Sequence, residues 1–363
     1  MFELGRWHRV DLRHPGRAMR VLVTGSSGFI GSQICSQLEA GGHEVIRVDL
    51  MLDQVHHGAP APEGTHLLDV RDALAWGQLL RGVDAVCHQA ALVGLGVRVE
   101  DMVGYASHND VGTAALMVAM HQHDVRRLVF ASSMVVYGEG TYRCPEHGIQ
   151  APAPRPIADL DAGQFENPCP VCGGPLAWEL VDESTPLNPR NAYAASKVAQ
   201  EHYASSWVRQ AGAAAIGLRY HNVYGPGMPR DTPYCGVAAM FRSSLQRGES
   251  PQVYEDGGQM RDFVHVSDVA RANVAALESV MTRADYAAYN VCSGSPISIG
   301  DVAQAVSLGA GGSLRPQVTG AYRVGDVRHV VASPQRAKAE LGFVAEIGPE
   351  VGLAQFATAP MRD

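Results

Sequence analysis

Tyr193 and Lys197 lie four residues apart at the start of a segment with the pattern of a helix, and together they could transfer a proton. This spacing places both side chains on one helix face. A phenol with an ordinary pKa of about 10 is a poor base at neutral pH, but a neighbouring ammonium stabilises the phenolate and lowers that pKa. Such a pair could remove a proton from a substrate hydroxyl. An exposed helix face without chemistry is the alternative interpretation.

A second chemical group, Ser133, follows a predicted strand within the motif Ser132-Ser133-Met134-Val135-Val136-Tyr137-Gly138. In a sheet of parallel strands this position lies at the carboxyl edge, where ligands bind. A serine hydroxyl there can hydrogen-bond to a hydroxyl or carbonyl group of a substrate. A strand-ending turn would have the same sequence features.

The run Val21-Leu22-Val23-Thr24-Gly25-Ser26-Ser27-Gly28-Phe29-Ile30-Gly31 has the order of a dinucleotide site: strand, glycine-rich turn, helix start. Gly25 permits the tight turn, Gly28 lets the backbone approach a pyrophosphate, and Gly31 lets the helix pack close to the sheet. Asp49 follows 18 residues after Gly31, at the end of the next predicted strand. Its carboxylate can accept both ribose hydroxyls and would repel a 2′-phosphate. The sequence therefore predicts NAD rather than NADP, with a purely structural turn as the alternative.

Three of the seven cysteines and one histidine form two short pairs, Cys144-x2-His147 and Cys169-x2-Cys172. One tight turn in each pair would point two ligands at one ion, and a Cys3His set suits a structural, tetrahedral Zn²⁺. Both pairs lie in residues 139–185, which we interpret as an insert folded by the metal. A loop with free thiols and a redox Cys-x-x-Cys are the alternatives. The other cysteines are predicted to be small buried side chains: Cys35, Cys87, Cys235 and Cys292.

The elements that must position these groups alternate between strands and helices. Strand-like apolar runs are predicted at residues 20–24, 44–50, 66–69, 85–89, 127–132 and 213–219. Helices are predicted up to about residue 40, over residues 110–121 and from residue 191 to about 210. Apolar strands between helices predict an α/β fold with a doubly wound parallel sheet of the Rossmann type. Shorter elements after Tyr224, punctuated by Pro and Gly, predict a smaller C-terminal substrate-binding lobe.

Composition and charge exclude several classes of protein and of binding partner. The 363 residues have a formal charge of −8, with 46% apolar and 18% charged residues, which is typical of a globular chain. Net acidity argues against nucleic acid as the main partner. No apolar run approaches the roughly 20 residues that span a bilayer, and no secretory signal is recognisable. We therefore expect a cytoplasmic protein with no membrane contact.

The same patterns predict the organisation of the chain. Residues 1–18, which are rich in arginine, are expected to be a disordered leader. Residues 19–190 are expected to form the NAD-binding Rossmann domain, interrupted by the insert at 139–185. Residues 191–363 are expected to contribute the catalytic helix, the remaining strands of the sheet and the substrate-binding lobe.

Nine motifs in order make residues 19–343 similar to the extended short-chain dehydrogenases/reductases of the nucleotide-sugar epimerase/dehydratase type. The first six are the glycine-rich run, Asp69-Val70, His88-Gln89-Ala90-Ala91, Asn109 through Thr113, the Ser133 motif, and Tyr193 with Lys197. The last three are Arg219-Tyr220-His221-Asn222-Val223-Tyr224-Gly225-Pro226-Gly227, Gln259-Met260-Arg261-Asp262-Phe263-Val264-His265-Val266, and Arg323-Val324-Gly325-Asp326.

This resemblance implies roles for individual residues. Ser133 and Tyr193 would bind the reacting hydroxyl, with Tyr193 as the base, and Lys197 would hold the nicotinamide ribose and tune the phenol. Further cofactor contacts are implied for Gly25, Ser27, Gly28, Phe29, Ile30, Gly31, Asp49, Asp69, Val70, Ala90, Ala91 and Asn109. Further substrate contacts are implied for Met134, Asn222, Arg261, Arg323 and Asp326. Bidentate arginines suit a diphosphate, although Arg261 could also form a surface pair with Asp262.

Positions 134 and 135 restrict the reaction that the resemblance implies. Dehydratases of the family carry an Asp-Glu pair there and decarboxylases a Glu at the second position, whereas this chain has Met134 and Val135. What remains is an isomerase that epimerises C4 of a nucleotide-diphosphate sugar through a 4-keto intermediate. The two Cys/His pairs of the insert make the chain similar to a subgroup of the family, the dTDP-L-rhamnose 4-epimerases, whose product is dTDP-6-deoxy-L-talose.

Several alternatives to that reaction remain at this point. They are a UDP-hexose 4-epimerase, a 4-keto reductase that consumes NAD(P)H, and a nucleotide-sensing scaffold without catalysis. The resemblance also implies a homodimer formed through the helices around Thr113 and Lys197.

Overall fold

The computed structural model describes residues 18–96, 98–230 and 236–362. The predicted leader, apart from Ala18, and the prediction for Cys235 therefore lie outside the described residues. In the described ranges, no helix combines the length and the apolar character needed to cross a membrane.

The described ranges contain fifteen strands and twelve α-helices. The strands are β1 (Arg20–Thr24), β2 (Glu44–Asp49), β3 (Thr65–Leu67), β4 (Ala85–His88), β5 (Arg127–Ser133), β6 (Thr141–Cys144), β7 (Gly148–Gln150), β8 (Ala177–Glu179), β9 (Ala214–Tyr220), β10 (Asn222–Tyr224), β11 (Gln252–Val253), β12 (Met260–His265), β13 (Tyr286–Val291), β14 (Pro296–Ser298) and β15 (Gln317–Val318). The helices are α1 (Phe29–Ala40), α2 (Asp53–His56), α3 (Ala73–Trp76), α4 (Met102–Tyr105), α5 (Gly112–Gln122), α6 (Ile157–Asp161), α7 (Ala192–Ala211), α8 (Val237–Gln246), α9 (Val266–Val280), α10 (Ile299–Gly309), α11 (Gln335–Leu341) and α12 (Pro349–Phe356).

Seven strands form one parallel sheet in the order β13-β9-β5-β4-β1-β2-β3. The predicted doubly wound parallel sheet is thereby confirmed. The strand order reverses between β1 and β4, and in such sheets the carboxyl ends at this point form the ligand-binding crevice. The sequence did not predict β13, because its alanines and polar Asn290 weaken the apolar pattern that marks the other strands.

Helices cover both faces of this sheet, and each face has its own apolar core. On one face, α1 and α9 pack on the strands through residues such as Ile34, Leu38 and Leu277. On the other face, α5 and α7 pack through residues such as Leu116 and Trp207. Parallel strands buried on both faces have continuous apolar sequences, which explains why the strand pattern was readable.

Three smaller sheets lie outside the central sheet in the described ranges, one of them the two-stranded pair β11–β15. Strands β6, β7 and β8 form a small antiparallel sheet within residues 141–179. Strands β10, β12 and β14 form another sheet, beside a separate apolar core that includes Phe241, Phe263 and Phe356.

Candidate functional site

The glycine-rich turn between β1 and α1 has the geometry of an anion site. Gly25 has a φ of +66°, and a Cβ atom there would lie 2.6 Å from the backbone nitrogen of Ala90. A Cβ atom on Gly31 would overlap the carbonyl oxygen of Gly25. Gly28 is the N-cap of α1 and offers no side-chain cap, so the first N–H groups of the helix are left for a ligand.

Asp49, at the carboxyl end of β2, is held beside that turn. Its carboxylate accepts hydrogen bonds from the backbone N–H of Ser27 (2.9 Å) and of Met51 (2.8 Å), and His56 Nε2 lies 3.6 Å away. Burial acts to raise the pKa of Asp49, but these hydrogen bonds outweigh burial and hold the pKa below its usual range. The carboxylate is therefore ionised at neutral pH and suited to accept hydroxyl groups.

A cavity of about 400 Å³ begins at this turn and continues along the carboxyl edge of the sheet. It brings together fourteen of the residues predicted to bind cofactor or substrate or to act in catalysis. These residues are Gly25, Gly28, Phe29, Ile30, Gly31, Asp49, Asp69, Val70, Ala90, Ala91, Ser133, Tyr193, Lys197 and Asn222.

Tyr193, Ser133 and Lys197 lie next to one another in the lining of this cavity. Tyr193 and Lys197 lie on the first turns of α7, which begins after the N-cap Asn191, and Ser133 is the last residue of β5. Burial raises the pKa of Tyr193 to about 12, while a hydrogen bond with the Ser133 hydroxyl acts to lower it. A serine and a tyrosine hydroxyl in this arrangement could together bind a hydroxyl group of a ligand.

Lys197 is almost fully buried below Tyr193. Its Nζ donates to the carbonyl oxygen of Ala131 (2.9 Å) and lies 5.9 Å from the centre of the Tyr193 ring. Burial lowers the pKa of Lys197 to about 7, against the negative charges of Asp110 and Glu201. The charge on this lysine is therefore sensitive to its acidic neighbours.

Six predicted site residues, all of them described, are outside the lining of this cavity: Ser27, Asn109, Met134, Arg261, Arg323 and Asp326. Asn109 is fully buried and hydrogen-bonds to both backbone groups of Leu92 and to the Ser196 hydroxyl. It thereby fastens the loop after β4, which carries Ala90 and Ala91, to α7. The buried hydroxyl of Ser27 has no partner among the described residues.

Arg261, Arg323 and Asp326 lie together elsewhere in the structure, near the insert. Arg261 donates to the carbonyl oxygens of Val327 (2.6 Å) and Arg328 (2.8 Å). The Arg323 guanidinium lies 5.3 Å from the centre of the Tyr254 ring. Burial raises the pKa of Asp326, while the positive charges of Arg323 and Arg261 act to lower it.

The cavity also contains residues that sequence reasoning did not select. His56 contacts Asp49, and Arg362 reaches the lining from the C-terminal segment, whose backbone pairs with Met228 and Arg230. No motif or spacing marks Arg362 in the sequence. His221 lines the cavity as well; burial lowers its pKa to about 3, so it is neutral there.

The four predicted metal ligands form one cluster. The ligand atoms of Cys144, His147, Cys169 and Cys172 all lie within 4.8 Å of one another. Cys144 Sγ is 3.8 Å from Cys172 Sγ, and His147 Nδ1 is 3.4 Å from Cys144 Sγ and 3.8 Å from Cys169 Sγ. Zinc–sulfur bonds of about 2.3 Å at tetrahedral angles would place two sulfurs about 3.8 Å apart. The residues present therefore fit a tetrahedral metal ion.

The fold and the cavity define a Rossmann protein with a dinucleotide-type site and a Ser-Tyr-Lys centre. A sequence profile described as the "NAD dependent epimerase/dehydratase family" matches residues 21–157 and 173–292. The chain belongs to this family, and the predicted family and enzyme class are thereby confirmed. The profile match is interrupted at residues 158–172, within the predicted insert.

Similar proteins include enzymes named for two kinds of nucleotide sugar. A dTDP-L-rhamnose 4-epimerase of Burkholderia thailandensis is 34% identical over 349 residues, which cover 93% of this chain and 94% of that protein. A UDP-glucose 4-epimerase of Corynebacterium glutamicum is 28% identical over 90% of this chain and 91% of its own. The crystal structure of Thermus thermophilus UDP-glucose 4-epimerase in complex with NAD is 32% identical, with a TM-score of 0.73, and covers 93% of this chain and 98% of that chain.

Proposed function

We propose that this protein is an NAD-dependent 4-epimerase of a nucleotide-diphosphate sugar. The observation that carries the proposal is the meeting of Ser133, Tyr193 and Lys197 in the same cavity as the Gly25–Gly31 turn and Asp49. That arrangement supports the proposal, because it combines a group that could accept a proton from a sugar hydroxyl with a turn suited to a dinucleotide.

In the proposed reaction, three residues would have separate roles. Ser133 would hold the C4 hydroxyl, Tyr193 would take its proton, and Lys197 would support the phenolate by its charge. NAD⁺ held by the Gly25–Gly31 turn and Asp49 would supply reversible hydride chemistry at C4, so that either configuration of that carbon could be formed. Tyr193 would then give the proton back, so that no net cofactor is consumed.

The residues around the turn fit NAD. The uncapped start of α1 suits the pyrophosphate, the partnerless Ser27 hydroxyl can donate to it, and Asp49 can accept ribose hydroxyls. Ala90 and Ala91 line the path between these groups and Tyr193.

Dehydration is disfavoured by the residues that follow Ser133. Met134 and Val135 form the first half of the 3₁₀ turn Met134–Tyr137, and neither side chain can donate or accept a proton. Elimination across the neighbouring sugar carbons needs an acid and a base at those positions, so oxidation and return of hydride at C4 remain.

The proposed substrate is dTDP-L-rhamnose, and the product is dTDP-6-deoxy-L-talose. The similarity to the Burkholderia enzyme over nearly the whole chain supports this choice. UDP-hexose 4-epimerisation is the second candidate, favoured by the similarity to UDP-glucose 4-epimerases.

Replacement of the proposed base tests the chemistry. We expect Tyr193→Phe to lower kcat by about a thousandfold or more, because a phenyl ring cannot accept a proton, while bound NAD remains. Tyr203→Phe is the matched control, since Tyr203 lies on the same helix with 46% of its surface exposed. Comparable kcat values for Tyr193→Phe and wild type would refute the assignment.

A panel of nucleotide sugars tests the reaction and its substrate. The enzyme is incubated with dTDP-L-rhamnose, UDP-glucose and UDP-galactose, and epimer pairs are separated by chromatography. Conversion of the dTDP sugar with no net change of absorbance at 340 nm supports the proposal. Stoichiometric loss of that absorbance with added NADH would instead identify a 4-keto reductase.

We further propose that Cys144, His147, Cys169 and Cys172 hold a structural zinc ion that folds the insert. Purified protein is then expected to contain about one zinc per chain, and Cys169→Ser to lose it and to unfold at a lower temperature. Cys35→Ala is the control, because Cys35 is buried in the central core far from the cluster in the fold. Metal analysis that finds no zinc in the wild-type protein would exclude this proposal.

The remaining expectations are part of the same proposal. The C-terminal core around Phe241 and Phe263 would form the substrate-binding lobe, with residues 191–363 supplying the catalytic helix as well. The enzyme would act in the cytoplasm as a homodimer.

A further inference from the structure

The insert at 139–185 forms hydrogen bonds with one loop of the C-terminal half, residues 322–329, which carries Arg323 and Asp326. The Tyr322 hydroxyl donates to Asp161 Oδ1 (2.5 Å). Arg155 donates to the carbonyl oxygen of Asp326 (2.9 Å). Both contacts join the insert to positions next to or at the residues implied in substrate binding.

The strongest contact is made by the Arg328 guanidinium, whose side chain is only 1% exposed. It donates to Glu166 of the insert (2.6 and 2.9 Å), to Glu255 (2.7 Å) and to both oxygens of Asp256 (2.8 and 2.9 Å). A buried charge is costly unless its donors are satisfied, and here three carboxylates satisfy them. Arg155 makes a second bidentate pair with the same Glu255 (2.8 and 3.0 Å).

The insert also fixes the backbone of the loop. The N–H of Arg328 donates to Glu139 Oε1 (2.7 Å), and the N–H of His329 donates to the Tyr142 hydroxyl (3.1 Å). The His329 ring pairs with Glu166 Oε2 (2.9 Å). Loop 322–329 is therefore held by side chains of the insert at four of its residues, Tyr322, Asp326, Arg328 and His329.

This loop in turn positions Arg261. The guanidinium of Arg261 is oriented by the carbonyl oxygens of Val327 and Arg328, so a displacement of the loop would move it. Arg323 lies on the loop itself. The two arginines implied in diphosphate binding thus depend on the same segment and, through it, on the insert.

We propose that Arg155, Glu166 and Arg328 are positioning residues that set the geometry of the diphosphate-binding arginines, an inference that rests on the proposed function. The insert holds loop 322–329 in place and acts on the nucleotide-sugar site only through that loop. Loss of the contacts between insert and loop therefore weakens binding of the nucleoside diphosphate, while the proton-transfer centre is unaffected.

Glu166→Ala tests this inference, because the Glu166 side chain is 55% exposed and its loss leaves Arg328 paired with Glu255 and Asp256. We expect about a tenfold weaker Kd for dTDP or UDP by calorimetry, and about a tenfold higher KM with kcat changed less than about twofold. Bound NAD stays at the wild-type level. Arg155→Lys keeps the charge but loses the bidentate contact, and is expected to weaken binding in the same way.

Glu179→Gln is the matched control, since Glu179 lies in the same insert but pairs with Arg143 instead of the loop. An unchanged nucleotide Kd in folded Glu166→Ala would overturn the inference, as would an equal loss in Glu179→Gln. A further outcome is that the wild-type protein epimerises no sugar of the panel while Glu166→Ala binds dTDP more weakly. That result would support the positioning role of the insert and overturn the proposed reaction.

Discussion

The phenol of Tyr193 loses its proton less readily in this fold than that of tyrosine in water until positive charge is added beside it. Burial raises its pKa to about 12, and the hydrogen bond with Ser133 only partly offsets that effect. Lys197, with a pKa of about 7, is charged in only part of the molecules near neutral pH. The proton-transfer centre therefore depends on the acids that keep Lys197 protonated.

Asp110 is one of those acids, and its replacement gives a prediction with a defined sign. Burial raises the pKa of Asp110 to about 6, so at neutral pH it is mostly ionised and favours the Lys197 ammonium. In Asp110→Asn the pKa of Lys197 falls, the phenolate loses support, and the pKa of Tyr193 rises. We expect the acid limb of the kcat–pH profile to move upward by about one unit.

The control for that experiment is Asp124→Asn. Asp124 is exposed, and its φ of 61° is one that asparagine adopts readily. The prediction fails if the profiles of Asp110→Asn and Asp124→Asn coincide.

At the scale of single elements, close packing decides the geometry of the cofactor site. Helix α1 approaches the turn so closely that any side chain at Gly31 would collide with the Gly25 carbonyl. A π-helical turn, Ala106–Val111, precedes α5 and turns Asn109 toward Leu92 and Ser196. Helical periodicity predicted a helix from residue 110, whereas α5 begins at Gly112, because a π turn shifts the register of the side chains.

Because a side chain at Gly31 would collide with the turn, Gly31→Ala tests whether the close packing of α1 shapes the cofactor site. We expect a loss of stability of at least about 2 kcal/mol and a lower NAD content after gel filtration, because α1 must move away from the turn. Gly348→Ala is the control, since a Cβ atom at Gly348 would meet no atom within 4 Å. Full NAD content in Gly31→Ala would show that the close approach does not shape the site.

At the scale of the whole molecule, exposed valines lie on α4 and on the helical segment from Val111 to Val118. Val103 is 78% exposed, Val111 55% and Val118 47%. Val111 and Val118 are seven residues apart and lie on the same side of the helix. A second copy of this chain would cover that face in the proposed homodimer.

A charge on this face is expected to separate the subunits. Val118→Glu should elute as a 38.7 kDa monomer, while the wild type has about twice that mass (2 × 38.7 ≈ 77 kDa) by light scattering. Val351→Glu, on the exposed face of α12 (62% exposed), is the control and should remain a dimer. A monomeric wild-type protein would exclude the homodimer.

Much of the fold and of the site could be predicted because their signals are local. The strands of the sheet are apolar runs, and the glycine turn, Asp49, Ser133 and the Tyr193–Lys197 pair each lie within a few residues of a strand end or a helix start. The cysteine and histidine pairs are local as well, since two ligands per turn are encoded by spacing alone. Strand β13 and the π turn were missed because their patterns are weak or shifted.

The sequence by itself determined the type of sheet and indicated the candidate dinucleotide turn and the proposed Ser133–Tyr193–Lys197 centre, because each depends on short-range spacing and on the alternation of strands and helices. Only the tertiary structure decided that Arg155, Glu166 and Arg328 meet, and that Arg362 reaches the cavity of Gly25 and Asp49. Glu166 and Arg328 are 162 residues apart. Contacts over such separations follow from how the insert and the C-terminal half pack together, which no local pattern of residues encodes.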